Sequence, residues 1–314
     1  MEQFKIFSGT SNRPLAQAIC SYLNVEIGEV EISRFKSGEI YVRYQESIRN
    51  NDIFIVQSLS HPIHEHLVEL MVMIDAAKRA SAKTIHLMIP YFGYARQSAK
   101  KSPRQPISAK LVADILTKVG AQRLITVDLN SDAIEGFFQI PVDHLTALDL
   151  MTRQIEELSI PDPIVISPDA GRAKMAERLA NRLHAPFAML IEGQSRPDAA
   201  KQLQLVGNVA GLTPIILDDM IDTGTTVLSV TNMLQQKGAN AAYLCVSHGL
   251  FSDNCIAKLN EHQGIRQILV TDTIHHPLLE DNPKFKIMSM AEIFGTAIQI
   301  IMTGGSIDKL VNRR

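Results

Sequence analysis

Asp218 and Asp219 stand side by side after an apolar run, Ile215-Ile216-Leu217, and are followed by Asp222-Thr223-Gly224-Thr225-Thr226. This order of residue types suits a phosphorylated sugar. Backbone N–H groups of a glycine-containing turn and of the helix it opens, joined by the hydroxyls of Thr223, Thr225 and Thr226, can wrap a phosphate. The two carboxylates can accept hydrogen bonds from vicinal sugar hydroxyls. An ordinary helix cap behind a strand explains one threonine and one acid, and leaves the second acid and the rest of the loop unexplained. The sequence has no GxxxxGK[ST] segment, so a nucleotide needs a site other than a conventional P-loop.

Other chemistry-bearing residues are weaker signals. His61, His64 and His66 form an H-x-x-H-x-H run that can seed a metal site, but without a Cys or a fourth ligand nearby a solvated helix entry is the simpler reading. His275-His276 before Pro277 reads as a turn, and Leu70-Met71-Val72-Met73 as core filling. Cys20, Cys245 and Cys255 are odd in number and widely spaced, which fits reduced structural thiols in a reducing cytoplasm better than a disulfide frame or a zinc site.

These residues need a scaffold, and the apolar pattern supplies one. Strand-length runs recur at Phe4 to Phe7, Ile53 to Val56, Thr84 to Ile89, Leu124 to Val127, Ile164 to Ile166, Pro214 to Leu217, Ala242 to Val246 and Ile268 to Val270. Helical periods fall between them at Leu67 to Ala80, Ser108 to Val119, Ala173 to Leu183 and Thr226 to Lys237. Alternating strands and helices predict an α/β fold of mainly parallel sheets flanked by helices, with ligands at the carboxyl ends of strands. The pattern weakens over 145–162 and breaks at Pro161-Asp162-Pro163, which places a domain boundary near 145 and predicts domains 1–145 and 146–314. The two halves share an order of elements, which makes a duplicated fold plausible. Ala291 to Val311 is a long helical pattern interrupted by Gly304-Gly305 that can pack back on either domain.

At 314 residues the chain is about right for two domains. With 31 Lys and Arg against 33 Asp and Glu, no net field steers it to nucleic acid or an anionic membrane, so a phosphate ligand must be held by local geometry. Met1 to Lys5 contain no basic segment followed by an apolar run, and no apolar stretch reaches the length of about 18 residues that a membrane helix needs. The expectation is a cytoplasmic chain with neither signal peptide nor membrane span.

Several separated segments resemble, in order and spacing, the ribose-phosphate pyrophosphokinase (5-phosphoribosyl 1-pyrophosphate synthase) family. They are Phe7-Ser8-Gly9, Arg34-Phe35-Lys36-Ser37-Gly38-Glu39, Tyr94-Ala95-Arg96-Gln97, Pro106-Ile107-Ser108-Ala109-Lys110, Gly136-Phe137-Phe138, Ile140-Pro141-Val142-Asp143-His144, Ser167-Pro168-Asp169-Ala170-Gly171 and Ser247-His248-Gly249. The resemblance implies two phosphoribosyltransferase-like domains and transfer of the β,γ-pyrophosphate of Mg2+-bound ATP to the C1 hydroxyl of ribose 5-phosphate. It further implies a site between the domains, a neighbouring subunit over the nucleotide, and a homo-oligomer, hexameric by likeness. By the same resemblance Phe35, Ser37 and Glu39 belong to the adenine loop, and Arg96 and Gln97 contact adenine and triphosphate. Asp169 is a magnesium and ribose ligand, and Asp218, Asp219, Asp222, Thr223, Gly224, Thr225 and Thr226 form the ribose 5-phosphate site. Ser47, Arg49 and Arg104 match an anion effector site for phosphate and ADP, with Pro103 in place of a family Ser.

Departures from the family pattern gather at the chemistry. Aligned without gaps from Phe187-Ala188 to Leu205-Val206-Gly207, the mobile loop has Glu192 at the family's catalytic Lys and Gln194 at its Arg. Losing such cations costs on the order of 10³ in rate. Arg196 or Lys201, in another register, can restore the charge. Asn130 stands for a magnesium-associated His, Ser37 for an Asp or Asn, Ser98 and Lys101 for Asp, and Arg172 for a Gly beside the ribose site. The expectation is therefore a synthase, with a weak or inactive paralogue that assembles with an active one as the alternative. A base-transferring phosphoribosyltransferase shares only the Asp218 to Thr226 motif.

Overall fold

A computed structural model describes residues 4–192 and 203–311. In chain order the elements begin with β1 (Phe4–Ser8), α1 (Arg13–Leu23), β2 (Val30–Arg34), β3 (Ile40–Tyr44), β4 (Asp52–Val56), α2 (Ile63–Arg79), β5 (Thr84–Ile89), α3 (Ser108–Val119), β6 (Arg123–Val127) and β7 (Val142–Leu145). They continue with α4 (Leu148–Glu157), β8 (Pro163–Ser167), α5 (Ala173–Arg182), β9 (Phe187–Glu192), β10 (Leu203–Val206), β11 (Thr213–Ile221), α6 (Thr225–Gln236) and β12 (Ala242–Gly249). The last are α7 (Cys255–Glu261), β13 (Ile265–Thr271), β14 (Phe285–Met288), α8 (Ala291–Thr303) and α9 (Asp308–Val311).

The chain divides into two compact units. The first takes Met1–Thr146, Asp272–His275 and Ser289–Arg314. Its main sheet has five strands in chain order, β1-β4-β5-β6-β7, all parallel, and β2 and β3 form a separate two-stranded sheet. β4 is buried at all five positions because helices cover both sheet faces, which is why its sequence, Asp-Ile-Phe-Ile-Val, is nearly all apolar rather than alternating. One face packs Phe7, Ile55, Leu87 and Leu124 against Leu70 and Ile74 of α2 and Val112 and Leu116 of α3. α3 buries Ala109, Val112, Ala113 and Leu116, the spacing of a single helical stripe. α1 packs against β1 and α8.

The second unit is Ala147–Thr271 and His276–Met288. Its seven-stranded sheet has the order β10-β9-β8-β11-β12-β13-β14, with only β10 antiparallel to its neighbour. From β8 the chain steps outward to β9 and β10 and then returns to β11 on the other side of β8. Such a reversal leaves a crevice at the carboxyl ends of the two strands.

The eight anticipated strands and four anticipated helices are present within a few residues. Three local readings change. The weak stretch over 145–162 holds a full helix, α4, whose Leu148, Met151, Thr152 and Ile155 turn inward while polar residues between them hide the period. Asp218 and Asp219 lie inside β11 rather than after it, because the strand continues to Ile221 beside β12. The Ala291 to Val311 pattern is two helices, since Gly304 ends α8 in the left-handed conformation at φ 71°. None of the described helices is long and apolar enough to cross a membrane. The three cysteines are buried and unbridged, and burial pushes the Cys20 and Cys255 thiols up to about 11.

Candidate functional site

The second unit gathers its acids at the reversal. β8 ends at Ser167, and Ser167 Oγ donates to the Asp169 carbonyl at 2.6 Å, which tightens the turn that follows. Exposed Asp169 accepts the Arg172 backbone N–H on Oδ1 at 3.0 Å. The Arg172 side chain reaches back to β11, where Nη2 pairs with Asp219 Oδ2 and Nε lies 3.9 Å from Asp218 Oδ1. These three side chains are 18% (Arg172), 16% (Asp218) and 5% (Asp219) exposed, so the charges sit largely out of water. Burial first, and the neighbouring Asp219 charge second, push Asp218 up to about 8.

The loop that opens α6 follows directly. Half-buried Asp222 holds the turn through its carbonyl, which accepts Ser252 N–H at 3.1 Å. Gly224 sits at φ 78°, and a Cβ there would meet Cys255 Sγ at 2.9 Å, so both backbone conformation and packing on α7 demand glycine. Thr223, Thr225 and Thr226 are exposed, with the hydroxyls of Thr223 and Thr225 3.1 Å apart. The hydroxyls and the first turn of α6 thus face solvent together beside the acids, an arrangement that could take an anion.

In the first unit, Phe35 to Glu39 form the turn of the β2–β3 hairpin, a feature the apolar runs did not reveal. Phe35 N–H donates to the Glu39 carbonyl at 2.9 Å, Gly38 takes φ 94°, and Ser37 Oγ donates to Glu39 Oε2 at 2.6 Å. Phe35 is 57% exposed and its ring meets Tyr41 edge-on at 5.8 Å. Arg96 and Gln97 are exposed after β5, with Gln97 Oε1 accepting from Ser108 Oγ at the start of α3. Ser47, Arg49 and Arg104 are exposed on loops of this unit, Arg104 at φ 66°. Glu192 ends β9, whereas Gln194, Arg196 and Lys201 lie outside the described residues.

Asn130 follows Asp128 and Leu129 at the end of β6, and its loop is pinned from below. His144 Nε2 accepts Leu129 N–H at 2.7 Å, so the ring proton is on Nδ1, which donates to Glu135 Oε1 at 2.7 Å. Asp132 Oδ1 is 3.8 Å from the same nitrogen. Asp132, Glu135 and His144 bring ligand atoms within 4.8 Å of one another, but a metal would have to displace the Nδ1 proton, so the group acts as a hydrogen-bonded brace. His61, His64 and His66 are not gathered into such a group among the described residues. His64 Nδ1 instead meets Tyr94 OH at 2.8 Å, and His66 Nδ1 meets the Ser60 carbonyl at 2.9 Å. The brace was missed because His144 carried only a motif match, and no spacing rule links it to Leu129.

The chain is similar to known proteins over nearly its whole length. Residues 4–120 fit the family model described as the N-terminal domain of ribose phosphate pyrophosphokinase, and residues 194–312 that of the phosphoribosyl synthetase-associated domain. A ribose-phosphate pyrophosphokinase of Fusobacterium nucleatum is 43% identical over 310 residues, covering 98% of each chain. The chain belongs to the ribose-phosphate pyrophosphokinase family. The Thermotoga maritima member of that family is 42% identical, again over 98% of both chains. The crystal structure of phosphoribosylpyrophosphate synthetase from Mycobacterium smegmatis superposes with a TM-score of 0.89 at 39% identity, covering 96% of this chain and 100% of that one. As a ribose-phosphate pyrophosphokinase family member the chain keeps the parallel α/β sheets, and Arg172 on the acid pair is part of its own second unit.

Proposed function

We propose that this chain transfers the β,γ-pyrophosphoryl group of ATP to the C1 hydroxyl of ribose 5-phosphate, giving 5-phosphoribosyl 1-pyrophosphate and AMP. The observation that carries this reading is the acid pair and Gly224 loop at the β8–β11 reversal in a chain of this family. The Thr223 to Thr226 cradle takes the 5-phosphate, and Asp218 and Asp219 orient the ribose hydroxyls. The C1 oxygen attacks the β-phosphorus, and the bond from that phosphorus to the oxygen bridging to the α-phosphate breaks. AMP leaves with that oxygen, and the hydroxyl proton passes to solvent. Such a transfer asks the protein for positioning and positive charge rather than covalent chemistry.

Phe35, Ser37, Glu39, Arg96 and Gln97 are the nucleotide contacts, and their exposure on turns suits a ligand that is covered by a further surface. A divalent cation, Mg2+, fits the hard oxygen donors of the exposed Asp169 carboxylate in the second unit. When bound it neutralises triphosphate charge. Ser47, Arg49 and Arg104 take phosphate or ADP as effectors, and the working form is a cytoplasmic homo-oligomer.

Glu192 and Gln194, in place of the family's Lys and Arg, slow the transfer. AMP formation from ATP and ribose 5-phosphate, measured for the wild type and for Glu192→Lys/Gln194→Arg, tests both points. Slow formation by the wild type and a gain on the order of 10³ in the double variant are expected. Equal rates sink the role of the two positions. No AMP from either protein sinks the enzymatic reading and favours a subunit that works beside an active paralogue.

A further inference from the structure

Arg172 holds the acid pair through two different parts of itself. Its backbone N–H is fastened to Asp169 Oδ1, and its guanidinium lies on Asp219 and near Asp218. The backbone is thus anchored while the side chain lies on the carboxylates. Asp219 is only 5% exposed and Asp218 16%, so they have little other open surface. A carboxylate has about four lone-pair positions, and a guanidinium presents five donors in a rigid fork. Asp218 Oδ1 already accepts Asp219 N–H at 2.8 Å, which leaves still less acceptor capacity for an incoming hydroxyl.

We propose that Arg172 is an affinity-determining residue that competes with the ribose diol for Asp218 and Asp219, so that ribose 5-phosphate binds by displacing the guanidinium. This rests on the reading of the loop as a ribose 5-phosphate site. The ligand enters in two parts that feel Arg172 differently. Its phosphate meets the exposed cradle of Thr223, Thr225 and Thr226, which Arg172 does not occupy. Its vicinal hydroxyls meet the carboxylates that Arg172 covers. The guanidinium therefore penalises the diol and spares the phosphate. It also stabilises the empty site, because two adjacent, largely buried carboxylates repel each other without a cation.

Calorimetric titration of the full chain at constant, saturating Mg2+ tests this with ribose 5-phosphate and its 2,3-dideoxy analogue, which keeps the phosphate and lacks the diol. In Arg172→Ala, ribose 5-phosphate is expected to bind about tenfold tighter relative to the analogue, whose own affinity stays within about twofold of wild type. Arg172→Lys keeps a charge without the fork and should give a smaller gain of about threefold; it also serves if the alanine variant does not fold. An unchanged or lower ratio in Arg172→Lys and Arg172→Ala overturns the proposal, as does an equal gain for both ligands, which would indicate general electrostatics. Ribose 5-phosphate that binds the wild type without a change in the variants defeats the competition alone. If it binds none of the proteins, the site reading fails and the proposal with it.

Discussion

The two units solve the same problem, holding polar loops at the ends of parallel strands, in opposite ways. In the first, strands follow chain order without reversal, and the loop after β6 is braced by a chain of hydrogen bonds, Leu129 N–H to His144 to the Glu135 carboxylate. In the second, the sheet reverses between β8 and β11, and the crevice is filled by charge: two acids inside a strand and an arginine from the next turn. Such a brace can be buried cheaply because each donor has an acceptor. A buried charge cluster is held at a desolvation cost that only a ligand or a counter-ion offsets. The difference is one of electrostatics: the second unit keeps a charged cluster largely out of water, and the first keeps its loop with a short chain of hydrogen bonds.

The contrast is most easily broken at Asp219. Asp219→Ala strips the buried guanidinium of its nearest partner and is expected to cost about 3 kcal/mol in a urea unfolding experiment. A cost under about 1 kcal/mol would mean the pair is solvated. Gly224→Ala imposes both a left-handed backbone and a clash with Cys255, and should cost about 2 kcal/mol by the same measurement. In the first unit, His144→Ala leaves the buried Leu129 N–H without its acceptor, for about 1.5 kcal/mol. Glu135→Gln keeps a carbonyl oxygen for the Nδ1 proton and should stay within about 0.5 kcal/mol. A Glu135→Gln penalty as large as that of His144→Ala would show that the carboxylate charge, and not the hydrogen bond alone, holds the brace.

The units also separate by pH. Asp218 has its folded pKa raised to about 8, so its contribution is complete below its ordinary 3.8 and is lost as pH rises through about 8. His86, buried on Phe54 in the first unit, is lowered to about 4, chiefly by burial and then by the Arg123 charge. Stability is therefore lost as pH falls from 6.5 toward 4, where a buried neutral ring must take a proton. Scanning calorimetry across pH should show Asp218→Asn flattening the alkaline slope and His86→Gln the acid slope. If Asp218→Asn leaves the alkaline slope unchanged, the buried acid pair is not its source.

Much of the fold was legible because parallel strands covered on both faces must be continuously apolar, and Thr84–Ile89 and Ser108–Val119 emerge with the bounds their patterns predict. α4 was not, since four inward residues in a short polar helix give too weak a period. The β2–β3 hairpin was seen only as a motif, because its strands are half-exposed and their pattern mixes charge with apolar residues.

The sequence by itself determined the α/β class and pointed to the acid pair and glycine-threonine loop at Asp218 to Thr226, since residue type and local spacing carry those. Only the tertiary structure decided that Arg172 lies on Asp219, 47 residues away, and that His144 reaches Leu129 across 15. Both contacts join separate elements whose register depends on sheet order and packing, and no local pattern encodes which side chain arrives opposite which carboxylate.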